Sequence, residues 1–551
     1  MKRRKKSFEI WNVYSLIILG LFALFLIYPM ALLLKQSVLG EDGGFSWANF
    51  QRFFSQKYYF STLLNSLKST LTTTFVALAL GIPFAYVYTF YRVKGSRMLY
   101  VLSILCCMSA PFIGAYSWIL LMGRSGIITQ FFKSVFGIKL GSIYGFGGIV
   151  LVQSLKLFPL VFIYMVGAFR NIDQSLLEAA ENLGCTGVKR FFRVTLMLTM
   201  PTVLAAALLV FMRAFADFGT PLLIGEGYRT FPVEIYNQYL GEQGGDHNFA
   251  AAISVIAILI TAIFFVIQKY LTSKFNFSIN ALHPVSRRKA GRGFGAAIHV
   301  FAYLLVAVAF MPQIYLIYTS FKNVKRKLFA PGYSLVSYKA ALGKNALGSI
   351  GNTLVMGLSA LAFIIVFATI IAYLVVRRKN VINNSIDVIS MLPYIIPGSI
   401  IGIALVIAFN KEPLVLTGTM TIMIIAVCIR RLPYTVRSSV ASLGQIPMTI
   451  EEAAISLGSS KMSAFFRVTV PMMSNGIIAG AILSWVAIIT EMSSAIILYN
   501  SKTVTLTLST YIAVSRGTYG TAAAFATILT LFTTLSLLIY LRISKSEDVK
   551  L

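Results

Sequence analysis

Two carboxylates sit inside otherwise apolar runs of this 551-residue chain, Asp217 in FMRAFADFGTPLL and Glu491 in VAIITEMSSAIIL, and they are 274 residues apart. An ionisable group in the middle of a membrane-spanning helix costs at least about 2.5 kcal/mol by insertion scales, so it faces a cavity, a partner or a passing ligand. Both residues are therefore candidates for lining a polar path through the molecule. Arg213 lies one turn before Asp217, where an i, i+4 pair can neutralise it. Glu491 has Ala487 at that place and must find water, a partner on another helix or a passing substrate. Two acids in equivalent positions suit a cation or a metal complex better than an anion. Lys156, in VQSLKLFPL, also falls in an apolar run, and its long stem fits snorkelling or pairing inside a bundle.

Other site chemistry is sparse. Four cysteines (Cys106, Cys107, Cys185, Cys428) and three histidines (His247, His283, His299) show no metal-ligand spacing, so neither a disulfide framework nor a bound metal is expected. No phosphate-cradling G-x-x-x-x-G-K-[ST] occurs; the nearest stretch, YKAALGKN, has Tyr338 in place of the first glycine and Asn345 in place of Ser or Thr. No catalytic residue is nominated, and the chain is read as a non-enzyme that binds no cofactor of its own.

The elements that carry these residues are membrane helices. With 57% hydrophobic and 12% charged residues and a mean hydropathy of +0.79, the chain is far too apolar for a water-soluble protein. Twelve apolar stretches are long enough to span a bilayer, near 12–34, 62–91, 98–122, 146–169, 197–224, 249–270, 296–320, 350–376, 385–409, 415–435, 472–498 and 520–541. The fold class is all-α integral membrane. The net charge of +30 punctuates these runs and does not form a basic face on a soluble domain, so it reads as the positive-inside rule and excludes a nucleic-acid partner.

The first span follows MKRRKKS, resembling a signal peptide but with too long an apolar core, and is read as a retained helix with a cytoplasmic N-terminus. Alternation then places YRVKGSR, KRFFR and SRRKAGR inside, in agreement with their charge. The basic loop 321–334, FKNVKRKLFAPGYS, falls outside against the trend. YVYTFYR reads as an interfacial aromatic anchor, SRRKAGR as a tether beside anionic lipid, and Gly81, Pro83 and Pro159 as packing or bending positions.

The two halves repeat. Asn65, Ala85 and Tyr86 match Asn352, Ala372 and Tyr373 at an offset of 287, and Pro111 matches Pro397 at 286. From Val166 to Leu196 against Val440 to Val470 the offset is 274 and twelve of thirty-one positions are identical, including FFRVT. Six spans per half make this a parallel duplication. The domains are read as 1–271 and 296–551, joined by a basic cytoplasmic linker, 272–295.

The most similar phrases are LLEAAENLG, from Leu176 to Gly184, and IEEAAISLG, from Ile450 to Gly458, both after the fourth span of their half. Each is expected to begin with a capping box, Ser175 with Glu178 and Thr449 with Glu452, and to end at its glycine. A preserved cytoplasmic helix in two parallel halves suits a partner with two equivalent sites.

These phrases, within segments of about 170–196 and 444–471, resemble the EAA loop of binding-protein-dependent ABC importer permeases, carried here by Glu178, Ala179, Ala180 and Gly184, and by Glu452, Ala453, Ala454 and Gly458. The resemblance implies a type I ABC importer permease fold in a bacterial plasma or inner membrane. It implies loops that act as coupling helices docking on two copies of a separate ABC ATPase, which uses the ATP, and an extracellular or periplasmic substrate-binding protein. Fused permeases of this pattern resemble the ferric-iron importer group, with organophosphonate, sugar phosphate or thiamine as alternative cargoes. The family's usual aliphatic-Pro step is present at Pro471, whereas the first copy has Met197 there and Pro201 four residues on; an asymmetry between the fifth helices is expected at that point. A twelve-span secondary transporter and a channel or scaffold are the competing classes. Neither accounts for the repeated glutamate helix.

Overall fold

The computed structural model describes residues 10–40, 42–108, 111–139, 141–241, 245–274, 283, 285–325 and 328–543. The basic N-terminal MKRRKKS and linker residues 275–282 lie outside the described residues. Among the described residues, the regular structure is helical apart from one hairpin.

Among the described residues, eight helices are long and apolar enough to cross a membrane, and three bent pairs bring the number to eleven. Several of the twelve expected spans look different from the sequence reading. The stretch 415–435 is a helix, Met420–Gly444, of 25 residues, long enough at about 37 Å but carrying Arg430, Arg431 and Arg437 along its length. Within the stretch 98–122 the described helices are Ser96–Met108 and Pro111–Met122. Its counterpart 385–409 is broken into Val381–Ile395 and Gly398–Phe409, bent by 111° at Ile396 and Pro397. Proline disfavours helical backbone in the residue before it, which is why Pro397 marks this break.

Packing groups the chain into two compact units: Met1–Arg52, Ile235–Val255 and Ser320–Leu551 form one, and Phe53–Glu234 with Ile256–Thr319 form the other. This division cuts across the 1–271 and 296–551 halves of the repeat, because each unit takes its leading helix from the other half. In the first unit, Ser15 donates to Asn383 Oδ1 at 2.7 Å, and the Phe25 and Phe409 rings lie 5.6 Å apart. In the second, Tyr303 on helix Arg292–Ser320 donates to the Lys94 carbonyl at 2.6 Å.

Small residues set the closest helix contacts. A Cβ at Gly81 would lie 2.7 Å from Val161 Cβ and 2.8 Å from the Phe158 carbonyl, so Lys57–Phe90 and Phe146–Arg170 meet backbone to backbone there. In the other unit Gly480 does the same, its notional Cβ falling 2.6 Å from Thr435 Cα.

The basic loop after Ser320 forms an antiparallel hairpin, Lys322–Lys325 with Leu328–Tyr333. It packs at the start of Tyr519–Ile543, where a Cβ on Gly520 would lie 2.5 Å from Val324. The hairpin leads into Lys344–Arg377, a helix of 34 residues and about 50 Å whose far end meets the second glutamate phrase. Hairpin and phrase thus occupy opposite ends of one spanning helix.

Candidate functional site

Both glutamate phrases are short helices, Gln174–Asn182 and Met448–Ser456. Their ends are alike. Gly184 and Gly458 adopt left-handed backbone, φ +76° and +94°. In each copy two reverse hydrogen bonds close the last turn: Cys185 N to Ala180 O at 2.8 Å and Gly184 N to Glu181 O at 3.0 Å, then Ser459 N to Ala454 O at 3.1 Å and Gly458 N to Ile455 O at 3.0 Å. This is the Schellman arrangement, which satisfies carbonyls a helix end leaves open.

Their starts differ from the expected capping boxes. The first helix is capped by Asp173, whose carboxylate accepts from Ser175 N at 3.0 Å and Ser175 Oγ at 2.8 Å, while Glu178 accepts from Gln174 at 2.6 Å. The second begins after Pro447, with no side-chain cap. Both helices start upstream of Ser175 and Thr449, because a carboxylate at Asp173 is the stronger acceptor and Pro447 already fixes its own φ.

Each helix presents the same outer surface. Glu178, Ala179, Glu452 and Ala453 are exposed, Ala180 and Ala454 half-buried. Leu183 and Leu457, paired by the offset of 274, are 87% and 88% exposed. Downstream, both FFRVT segments form π-helical turns, Phe191–Thr195 and Phe465–Thr469, an irregularity common at functional sites. The chain then bends into the next helix by 75° in the first copy and 68° in the second. Met197 and Pro471 therefore make little difference to this geometry: Pro471 falls in the first turn of its helix, where a missing N–H is harmless.

The inner faces do differ. In the first copy the buried residue is Leu177, in an apolar cluster with Phe90 and Phe169, and Tyr86 stacks edge-on against Phe191 at 4.9 Å. In the second copy that position is Glu451, 3% exposed. Tyr373 donates to Glu451 Oε1, Thr469 donates to Oε2 at 3.3 Å, and Arg377 Nε lies 3.8 Å from Oε2. Trp11 and Tyr373 rings sit 4.3 Å apart over this cluster. The first copy has a different tether: linker residues bind its helix, with Gln174 N donating to His283 O at 3.0 Å, Ser286 N to Gln174 Oε1 at 2.9 Å, and Arg288 pairing Glu181 at 3.4 Å.

The two carboxylates each follow a helix end, Asp217 after Met200–Phe215 and Glu491 after Ser474–Ile489, and sit in unlike surroundings. Asp217 is half-buried and accepts from Gln153 at 3.2 Å and Thr220 Oγ1 at 2.7 Å. Glu491 is 1% exposed and forms ion pairs with both Arg430 and Arg431, while Ser493 Oγ, Ser494 N and Ser494 Oγ donate to Oε1 at 3.0, 3.0 and 3.1 Å. Five donors saturate this carboxylate, so the partner that Ala487 could not supply comes from helix Met420–Gly444. The arginines were not singled out from sequence, yet the offset of 274 pairs Lys156 with Arg430 and Pro159 with Pro433, and extending the repeat upstream exposes them. Room for Arg430 comes from Gly398, where any Cβ would collide with the guanidinium. By the offset of 286, Gly398 corresponds to Phe112, which in its own unit packs against Gly219, the counterpart of Ser493. Large and small have exchanged places between the copies.

Residues 77–277 and 364–547 each match the family described as "Binding-protein-dependent transport system inner membrane component". The chain is 27% identical to the ferric transport system permease protein FbpB of Actinobacillus pleuropneumoniae over 95% of its own length and 76% of that protein. It is 27% identical to the putative ferric transport system permease protein FbpB 1 of Haemophilus influenzae, over 90% of its length and 79% of that protein. It is 24% identical to the putative 2-aminoethylphosphonate transport system permease protein PhnU of Salmonella typhimurium, over 48% of this chain but 92% of that one.

Proposed function

Because the chain belongs to the family of binding-protein-dependent transport system inner membrane components, which it matches twice in tandem, we propose that it supplies both permease domains of an ATP-driven importer on one polypeptide. The chain is a multi-pass membrane transport permease. In the proposed assembly its N-terminus is cytoplasmic, and the helices Gln174–Asn182 and Met448–Ser456 dock on two copies of an ABC ATPase. The hairpin 322–333, at the far end of helix Lys344–Arg377, faces the side from which a substrate-binding protein delivers cargo.

The observation that carries the coupling role is the matched outer surface: two Schellman-ended helices, each with an exposed glutamate and an exposed leucine 274 residues from its counterpart. A surface repeated this closely on unlike inner scaffolds fits selection by a partner with two equivalent grooves. ATP hydrolysis in that partner would move the docked helices and tilt the spans between inward-facing and outward-facing forms.

Ferric iron is the proposed cargo, supported by the two ferric permeases that align along nearly all of this chain. An organophosphonate is the second reading, supported by the 2-aminoethylphosphonate relative and by the net positive charge of the Arg430, Arg431 and Glu491 cluster. The test is uptake by vesicles containing the permease, its ATPase and its binding protein. Iron uptake that 2-aminoethylphosphonate does not compete supports the first cargo; phosphonate uptake without iron uptake replaces it. For the coupling role, Glu178→Arg with Glu452→Arg is expected to release the ATPase on co-purification, and an ATPase that stays bound and coupled rejects the docking reading.

A further inference from the structure

The second coupling loop is tied to one helix end by two hydrogen bonds. Arg377 Nη2 donates to the Ile446 carbonyl at 2.7 Å, just before the short helix. Tyr373, one turn earlier, donates to Glu451 within it. Glu451 in turn accepts from Thr469 in the π turn that follows, at 3.3 Å. Glu451 thus joins the last turn of Lys344–Arg377 to the segments before and after Glu452, the exposed neighbour that faces outward.

The first copy shows what this arrangement is not needed for. Tyr86 and Thr195 correspond to Tyr373 and Thr469, but Leu177 stands for Glu451 and Phe90 for Arg377. A charged pair has been exchanged as a unit for an apolar pair, and the same short helix, terminal glycine and π turn form around it. Burying an ion pair brings little net stability over well-packed apolar residues of similar volume. What the charged pair adds is direction: Glu451 and Arg377 lie 3.8 Å apart, and the hydrogen bonds each makes to its neighbours, Tyr373 and Thr469 to Glu451 and Arg377 to the Ile446 carbonyl, fix the angle and register of the elements, whereas an apolar contact tolerates sliding.

We propose that Glu451 and Arg377 form an ionic latch that transmits movement of the second coupling helix directly to helix Lys344–Arg377, whereas in the first half the polar link to the matching helix end runs indirectly through Arg288, which pairs Glu181 and donates its N–H to the Phe90 carbonyl. They are positioning residues, and the proposal rests on the docking of an ATPase described above. The latch makes the stroke asymmetric, with the second half as the stiffer lever.

The test uses the full complex in lipid vesicles, with cargo uptake and ATP hydrolysis measured on the same preparation. The double variant Glu451→Leu with Arg377→Phe installs the first half's own apolar pair, which that fold accommodates. It is expected to retain the ATPase subunits and their hydrolysis while uptake per ATP falls about tenfold, within the range of ordinary coupling energies. Tyr373→Phe, which keeps the ion pair and removes one hydrogen bond, is expected to lower the same ratio about threefold. Uptake per ATP unchanged in both variants overturns the latch, and so does loss of the ATPase from the double variant, which would make the pair a docking or folding determinant. An ATPase that remains bound and coupled in Glu178→Arg with Glu452→Arg rejects the docking reading itself, a result distinguishable from failure of the latch alone.

Discussion

The two repeated glutamate helices share an outer surface and differ in what lies beneath it. One rests Leu177 in an apolar cluster and is tied by linker residues His283 to Arg288. The other buries Glu451 against Tyr373, Thr469 and Arg377. The carboxylates of the apolar runs repeat the theme: Asp217 is half-buried among neutral donors, Glu491 fully buried between two arginines. In both pairs the second half carries the buried charge. Between the halves the outer surface is the same, while the interior exchanges one self-consistent set of partners for another.

The sharpest way to break this comparison is at the charged sites of the apolar runs. Glu491→Leu strands Arg430 and Arg431 in the interior and is expected to cost about 3–5 kcal/mol, whereas Asp217→Leu, which frees only neutral donors, should cost about 1–3 kcal/mol. Thermal unfolding in detergent compares them, and equal losses would mean that the two sites are equivalent after all. Next, Glu451→Leu alone leaves Arg377 buried beside an apolar group, for about 3 kcal/mol, and adding Arg377→Phe should recover most of it; no recovery would show that the first half's pair cannot be transplanted.

Smaller effects sharpen the same contrast. Tyr373→Phe removes a hydrogen bond to a carboxylate and should cost about 2 kcal/mol, more than Tyr86→Phe in the first copy at about 1 kcal/mol. Gly184→Ala and Gly458→Ala force a side chain into left-handed backbone, at about 1 kcal/mol each. These last two should be indistinguishable, since the helix ends are the shared part, and a clear difference between them would argue against a common outer geometry.

Local features were the legible ones. Gly184 and Gly458 announce left-handed helix ends because only the backbone of their own turn is involved. The caps were misjudged by the same local logic, since Ser175 and Thr449 fit the pattern while Asp173 and Pro447 stood just upstream. Met197 and Pro471 looked like the source of asymmetry, yet the bends they flank are 75° and 68°. The real difference, Leu177 against Glu451, was visible in the aligned phrases and carried no meaning until Tyr373 and Arg377 came within reach. Likewise the span containing Arg430 and Arg431 was read as apolar at 415–435, because nothing nearby in sequence shows that Glu491 neutralises them.

By itself the sequence determined that this chain is a duplicated bundle of membrane helices, where its repeated surface helices begin and end to within a few residues, and that Asp217 and Glu491 fall in its apolar runs. Those properties follow from hydropathy, periodicity and backbone preference, which act over a few turns of chain. Only the tertiary structure decided which half supplies each unit's leading helix, which of two carboxylates is saturated by arginine, and which repeated helix rests on a buried charge. A buried ion is settled by whatever a distant helix brings within about 4 Å, where low dielectric makes the pairing strong and its absence costly.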